Sequence, residues 1–128
     1  MTLQIRLPAG PGHRPGSLLR AEIHWHHPHA PLGGSVELGW ATTGKGSGDT
    51  QVIHHAELAE LPRVDQTAPA QLQANDARVF ALQLPAGPYS FSGTLISLTW
   101  TLRVRLDPDD ERATVEIVLA PDGEELRL

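Results

Sequence analysis

Cysteine is absent from this chain of 128 residues. Its absence excludes disulfides, iron–sulfur clusters, thiolate zinc sites and thiol nucleophiles, so the fold must be stabilised by packing alone. A chain without cysteine fits a reducing compartment. The length is that of a common single domain with one core, and we therefore expect one domain spanning residues 1–128.

Long hydrophobic runs are also absent. Residues 1–16 alternate Leu3, Ile5 and Leu7 with polar residues and then become rich in proline and glycine. This pattern is typical of neither a signal peptide nor a membrane span. The sequence therefore predicts no integral membrane segment and a cytoplasmic location.

Positive charge is scarce, and the formal net charge is −5. From Asp107 onward lie eight of the 15 acidic residues but only two of the ten lysines and arginines. A nucleic-acid-binding domain would need a basic stripe, which this distribution does not provide. We expect no nucleic-acid partner.

What the chain does contain is 12 glycines and 11 prolines, which separate short alternating runs. The clearest run is residues 94–106, in which every second residue from Ile96 onward is apolar and the residues between are Ser, Thr or Arg. A period of two is typical of a strand with one buried face. The apolar face of this run comprises Ile96, Leu98, Trp100, Leu102, Val104 and Leu106.

Shorter runs with the same alternation occur along the rest of the chain. They are Leu3/Ile5/Leu7, Leu19/Ala21/Ile23/Trp25, Val36/Leu38/Trp40, Phe80/Leu82/Leu84 and Val115/Ile117/Leu119. A seventh strand is expected in residues 49–61, where Val52, Ala56 and Leu58 share a face. About seven such strands predict an all-β, immunoglobulin-like antiparallel β-sandwich with its three tryptophans in the core. Residues 62–75 predict a mobile, loose connection or one short helical turn.

One segment suggests a family. Residues 84–100 read LPAGPYSFSGTLISLTW: a strand ending in Leu84-Pro85, a Pro88-Tyr89 turn, then Gly93 and the long strand. Together with the Arg-Pro-Gly segment at residues 14–19, Ile23-His24-Trp25 and residues 36–42, it resembles the arrestin-type family over residues 14–107.

The resemblance implies a single arrestin-type sandwich, where many members of that family carry two in tandem. Arrestin-like proteins, including bacterial sporulation-control relatives, are non-enzymatic adaptors. The resemblance therefore implies a protein-binding or scaffolding module. Because a lone sandwich has open edges that invite strand addition, we expect it to act through a sheet surface or edge, with a protein partner or a second copy of itself.

The histidine-rich stretch His24, His26, His27 and His29 is the conspicuous candidate for a metal site. His24 and His26 project from the same face of a strand, and two imidazoles at this spacing can share a metal ion. Arg20 is expected on the same face, and a neighbouring cation disfavours a metal. We expect a solvated stretch without metal. The alternative function is a metal-binding protein or metal-dependent enzyme that uses these four histidines.

Two further motifs fall short of a ligand site. Residues 39–46 nearly match a phosphate-binding loop, but Gly46 stands where a Ser or Thr must ligate magnesium, so a hairpin connection is expected. Residues 107–111 offer oxygen ligands for calcium without the spacing of an EF-hand, and a β-turn explains them equally well. No Gly-x-Ser-x-Gly elbow occurs. We therefore expect no catalytic residues, no cofactor and no small-molecule substrate.

The polar face of the long strand carries Thr99, Thr101, Arg103 and Arg105. If His24 and His26 lie on the same sheet, this face becomes a mildly basic surface. Its simplest interpretation is the solvated side of a sandwich. If the chain binds a protein, these four residues are the candidate contacts. A carbohydrate-binding sandwich is the weakest hypothesis, because exposed aromatics would be needed and the tryptophans are expected to point inward.

Overall fold

The computed structural model describes residues 2–44, 48–65, 70–93 and 96–127. These ranges contain ten strands and one 3-10 turn, and no helix in them is long and apolar enough to cross a membrane. The elements are β1 (Thr2–Arg6), β2 (Gly12–His13), β3 (Leu18–His26), β4 (Gly33–Gly44), β5 (Thr50–Glu57), the 3-10 turn (Leu58–Glu60), β6 (Asn75–Gln83), β7 (Phe91–Ser92), β8 (Ile96–Asp107), β9 (Glu111–Leu119) and β10 (Leu126–Arg127). The seven longer strands correspond to the seven predicted runs, so the all-β prediction is confirmed.

Two sheets pack face to face. The smaller sheet has the order β1-β3-β6 and is antiparallel throughout. In the larger sheet, β5, β4, β8 and β9 are neighbours in that order and are also antiparallel. The short strands β2, β7 and β10 extend it, with parallel pairing between β2 and β9 and between β7 and β10. The molecule is therefore the antiparallel β-sandwich that the alternating runs predict.

The core contains the inward residues of both sheets, as the alternation requires. Trp100 is fully buried, and its Nε1 donates to the backbone oxygen of Pro88 at 2.7 Å. Trp25 is also buried and donates to the backbone oxygen of Gln73 at 2.8 Å. Trp40 is half-buried against the core. Ile96, expected inside, is 45% exposed because it lies opposite Gly44 at the far end of β8.

The edge strand β5 departs from the expected pattern. Val52 was expected to share the core face with Ala56, but it is 54% exposed. The reason is a β-bulge. His54 pairs with Leu38 and Val52 pairs with Gly39, so Ile53 is the extra residue. A one-residue insertion puts the alternation on its two sides out of phase, so Val52, before the bulge, lies on the outer face although Ala56, after it, packs against the core.

The described parts of the segment predicted as a loose connection, residues 62–65 and 70–74, are tied to β6, while its residues 66–69 lie outside the described ranges. The backbone N–H of Val64 donates to the oxygen of Ala77, and that of Val79 donates to the oxygen of Pro62, each at 3.0 Å. The fully buried Arg78 donates to the backbone oxygens of residues 61, 70 and 71. The short helical turn occurs just before this segment, at Leu58–Glu60.

The segment that carries the arrestin-like motif crosses from the smaller sheet to the larger one. Leu84 is buried at the end of β6. Ser90 is then held against β9, since its backbone N–H donates to the oxygen of Leu119 and its hydroxyl accepts from the N–H of Leu119. The crossing therefore closes one side of the core around Trp100.

Candidate functional site

The four predicted contact residues do share one surface. Thr99, Thr101, Arg103 and Arg105 alternate with buried residues of β8 and so point to the outer face of the larger sheet. The two threonines are half-buried and the two arginines are exposed. Because β8 lies between β4 and β9, these residues occupy the middle of that face.

Strand register determines which side chains surround them. Across β4, Arg103 lies opposite Glu37 and Arg105 lies opposite Ser35. Across β9, Arg105 lies directly opposite Arg112. Residues directly opposite in neighbouring strands have Cβ atoms roughly 5 Å apart and interact. The outer face therefore gathers three arginines, which we call the arginine face (Arg103, Arg105 and Arg112).

The ion pairs on this face are uneven. Arg112 contacts Asp110 at 2.9 Å, whereas Arg105 lies 3.7 Å from Asp107 and 4.0 Å from Asp110. Arg103 forms no ion pair with any residue that the structure describes. A shallow hollow of about 170 Å³ lies among the three arginines and is also lined by Ser35 and Glu37. Ser35 is 7% exposed.

Glu37 is held from the other side by β5. His55 lies between two carboxylates, with Nδ1 3.2 Å from Glu37 Oε1 and Nε2 3.0 Å from Glu57 Oε1. The hydrogen bonds to Glu57 and then to Glu37 raise the pKa of His55 above its ordinary value of 6.5. Among the described residues, Glu37 therefore has an ion pair with His55 and none with Arg103.

His24 and His26 lie on the other sheet. Both belong to β3, in the smaller sheet, and β8 is in the larger one. The two histidines therefore do not extend the basic surface that Arg103 and Arg105 form. Glu22 lies between Arg20 and His24, 2.9 Å from the first and 3.0 Å from the second. Hydrogen bonding from His24, and then from Arg20, lowers the pKa of Glu22.

The four histidines of the proposed alternative metal set are dispersed. His24 is hydrogen-bonded to Glu22, while His26 and His29 are exposed. His27 turns to the opposite side and contacts Glu111. Across the described ranges, no three His, Asp or Glu side chains are grouped as metal ligands. The structure therefore does not bring the predicted alternative ligands together.

The other two motifs lie where one strand of the larger sheet leads to an antiparallel neighbour. Residues 39–44 belong to β4, residues 45–47 lie outside the described ranges, and Thr42 and Asp49 close the connection to β5 by backbone and side-chain hydrogen bonds. Residues 107–111 join β8 to β9, and Asp110 adopts a positive φ of 54° there. The placement of residues 107–111 agrees with the turn interpretation of that motif.

Sequence reasoning did not identify several residues of this surface. Ser35, Glu37 and His55 are far from Arg103 along the chain, and Arg112 lies on the next strand, so only the strand register places them around it. The alternating pattern of β9 does indicate that Arg112 points outward. What it cannot indicate is that Arg112 faces Arg105.

Comparison with known proteins gives no family. No family model matches the chain, and no curated protein matches it. A solved structure similar to it is the superoxide reductase (neelaredoxin) from Ignicoccus hospitalis, with 12% sequence identity and a TM-score of 0.46 over 94% of this chain and 81% of that one.

Proposed function

We propose that the chain is a non-catalytic protein-binding or scaffolding module, and that its arginine face receives an acidic segment of a protein partner. The observation that carries this proposal is Arg103. It lies in the middle of the larger sheet's outer face and has no ion pair within the described part of the chain. An arginine presented in this way is available to a carboxylate from outside.

The neighbouring arginines support the same ligand chemistry. Like charges directly opposite in a sheet repel each other, and Arg105 and Arg112 are such a pair. One carboxylate, Asp110, approaches both, but it lies 4.0 Å from Arg105. A partner carboxylate would relieve the repulsion. It would also accept charge-assisted hydrogen bonds, for which the planar fork of arginine is suited.

The size of the hollow favours a protein segment over a small-molecule substrate. Its volume of about 170 Å³ is below the roughly 300–1,000 Å³ typical of small-molecule pockets. A single carboxylate side chain from a partner is the matching occupant. Binding would therefore spread over the sheet surface, with this hollow receiving one anchoring group.

The surface is a better candidate than the sheet edge. β5 is the outer strand of the larger sheet, and the bulge at Ile53 interrupts its row of backbone groups. Natural edge strands use such bulges to discourage pairing with another chain. We therefore place recognition on the face, and self-association is the case in which a second copy supplies the acidic segment.

The proposal also includes a non-enzymatic role in the cytoplasm. The resemblance to arrestin-type adaptors supports a non-enzymatic role, and the absence of cysteine supports a cytoplasmic location. We propose no cofactor and no nucleic-acid partner.

A pair of charge-reversed variants tests the proposal. The parent, an Arg103→Glu, Arg105→Glu variant and an Arg6→Glu, Arg14→Glu control would each be titrated with a fluorescent octaglutamate peptide and used to recover partners from the source cell. Arg6 and Arg14 are exposed and lie off the larger sheet, so the control carries the same charge change. We expect binding by the parent and the control and loss in the first variant. Equal binding by all three proteins would refute the proposal.

A further inference from the structure

A second concave site lies at one end of the sandwich, where the connection from β3 to β4 faces the turn from β8 to β9. Its volume is about 240 Å³, and leucine, proline and alanine side chains form much of its lining. Leu106 is buried at this site, whereas Leu32 is 82% exposed. The backbone N–H of Leu32 donates to the oxygen of Asp107 at 3.1 Å, which joins the two walls. We call this site the end cleft.

The charged groups of the end cleft are predominantly acidic. Asp107, Asp109 and Glu111 line it, and neither lysine nor arginine is among its lining residues. Asp109 is exposed and forms no ion pair with any described residue. Asp107 has only the 3.7 Å contact to Arg105, which belongs to the arginine face. The cleft thus offers negative charge beside apolar surface.

A buried imidazole in the same cleft is a separate observation. The His27 side chain is 10% exposed, and its Nε2 lies 2.9 Å from Glu111 Oε2. The Nε2 atom is itself buried. Its contact with Glu111 is at ion-pair distance but is not a hydrogen bond, so Nε2 has no hydrogen-bond partner in the described part of the chain. Such an atom is costly to bury, and buried polar groups in native proteins are seldom left in this state.

We infer that the end cleft binds a lysine or arginine side chain of a protein partner. The aliphatic stem of such a side chain packs against Leu32, and its charged head lies among the three carboxylates. The charged head has several N–H donors. One can donate to the Glu111 carboxylate, and another can donate to His27 Nε2 once the Glu111 side chain rotates away from that atom. The volume is below that of ordinary small-molecule pockets and suits one long side chain.

This inference is independent of the arginine face, because the two sites attract opposite charges and are lined by different side chains. Glu111 faces inward at the mouth of the sandwich, as the half-buried residues on its side of β9 indicate, whereas Arg112 faces outward. A partner that used both sites would carry acidic and basic residues on one segment.

Nuclear magnetic resonance with model side chains tests the end cleft. The labelled protein would be titrated with N-acetyl-lysine methylamide, with the arginine analogue, and with the uncharged norleucine analogue of similar length. We expect the two cationic probes to shift signals of residues 27–32 and 106–111, with the norleucine probe binding about fivefold more weakly. Equal binding of the norleucine probe, or shifts confined to other residues, would overturn the inference.

Variants of the carboxylates complete the test. Asp109→Asn with Glu111→Gln removes charge while keeping side-chain shape, and we expect lysine binding to weaken about threefold or more. The matched control is Glu116→Gln, an outward residue on the same strand and roughly 17 Å from Glu111. Amide spectra recorded without probe establish that each variant is folded. If the double variant retains the parental affinity, Asp109 and Glu111 are not the recognition element and the inference is overturned.

Discussion

Arg78 and Asp76 form an ion pair inside the sandwich, with Arg78 Nη2 3.0 Å from Asp76 Oδ2 and both side chains fully buried. Arg63 Nε approaches the other carboxylate oxygen at 3.0 Å. Burial alone would raise the pKa of Asp76. The hydrogen bonds from Arg78 and from the N–H groups of Gln73 and Ala77 outweigh it, and the pKa lies below its ordinary value of 3.8.

Removing one member of this pair should be severely destabilising. Arg78→Met leaves Asp76 buried without its main partner and leaves three backbone oxygens without their donor, so we expect a loss of about 3–5 kcal/mol in the free energy of unfolding. Urea denaturation measures this loss. Arg78→Lys should rescue little, because a single ammonium group cannot replace the five-donor fork. A loss below about 1 kcal/mol would contradict the role assigned to the pair.

The alternation of β6 contains a signal for this pair. Asp76 and Arg78 continue the inward series that includes Phe80, so period two places two charges on the core face. Opposite charges two residues apart on a buried face indicate an internal ion pair. Pattern reasoning does not indicate that Arg78 also holds the backbone at residues 61, 70 and 71, because those contacts depend on the path of the chain.

The fold was more predictable than the site, because strands depend on local sequence whereas the site depends on contacts between different strands. Runs such as Leu19 to Trp25 identify the strands and their inward faces from local sequence. By contrast, the meeting of Arg105 with Arg112 depends on register, and the contact of His27 with Glu111 depends on how the two sheets align. The bulge at Ile53 is likewise a property of the pairing between β4 and β5 and not of local sequence alone.

Gly39 should be required for that bulge. A Cβ added at this position would lie 2.5 Å from the backbone oxygen of Gln51. Because this atom belongs to the backbone of a paired strand, it cannot move aside as the end of a flexible side chain can. We expect Gly39→Ala to cost about 1–3 kcal/mol in thermal or urea unfolding, the range for overpacking. Gly33→Ala is the control on the same strand, since its added Cβ would meet only Asp107 Oδ2 at 3.8 Å. Equal effects of the two changes would show that the close approach is unimportant.

His55 should titrate above the ordinary histidine range. Its pKa is raised from 6.5, so its protonated form contributes stability that is present below pH 6.5 and is lost as the pH rises through the folded-state pKa. A titration of the imidazole signals measures the midpoint directly. Glu57→Gln and Glu37→Gln should each lower it, and Glu124→Gln, near the short strand β10, should not. An unchanged midpoint in both Glu37→Gln and Glu57→Gln would contradict the position of His55 between the two carboxylates.

We predict that the chain self-associates weakly and that this association depends on the salt concentration. The acidic end of the chain, from Asp107 onward, includes carboxylates that can approach the arginine face of a second copy, although Asp110 is already paired with Arg112. Attraction of this kind acts over about 10 Å at 0.1 M salt and about 3 Å at 1 M. Sedimentation at low and high salt should therefore show weak dimers that dissociate as salt rises.

The same two pairs of variants identify the surface involved. Arg103→Glu with Arg105→Glu should abolish the low-salt dimer, because it replaces attraction with repulsion at the centre of the face. Arg6→Glu with Arg14→Glu changes the net charge equally and should leave the dimer intact. Exposed changes of this kind usually alter the free energy of unfolding by less than about 0.5 kcal/mol, so lost association would not reflect unfolding. A parent chain that remains monomeric at every salt concentration would exclude a second copy as the partner, and the acidic segment would then have to come from a different protein.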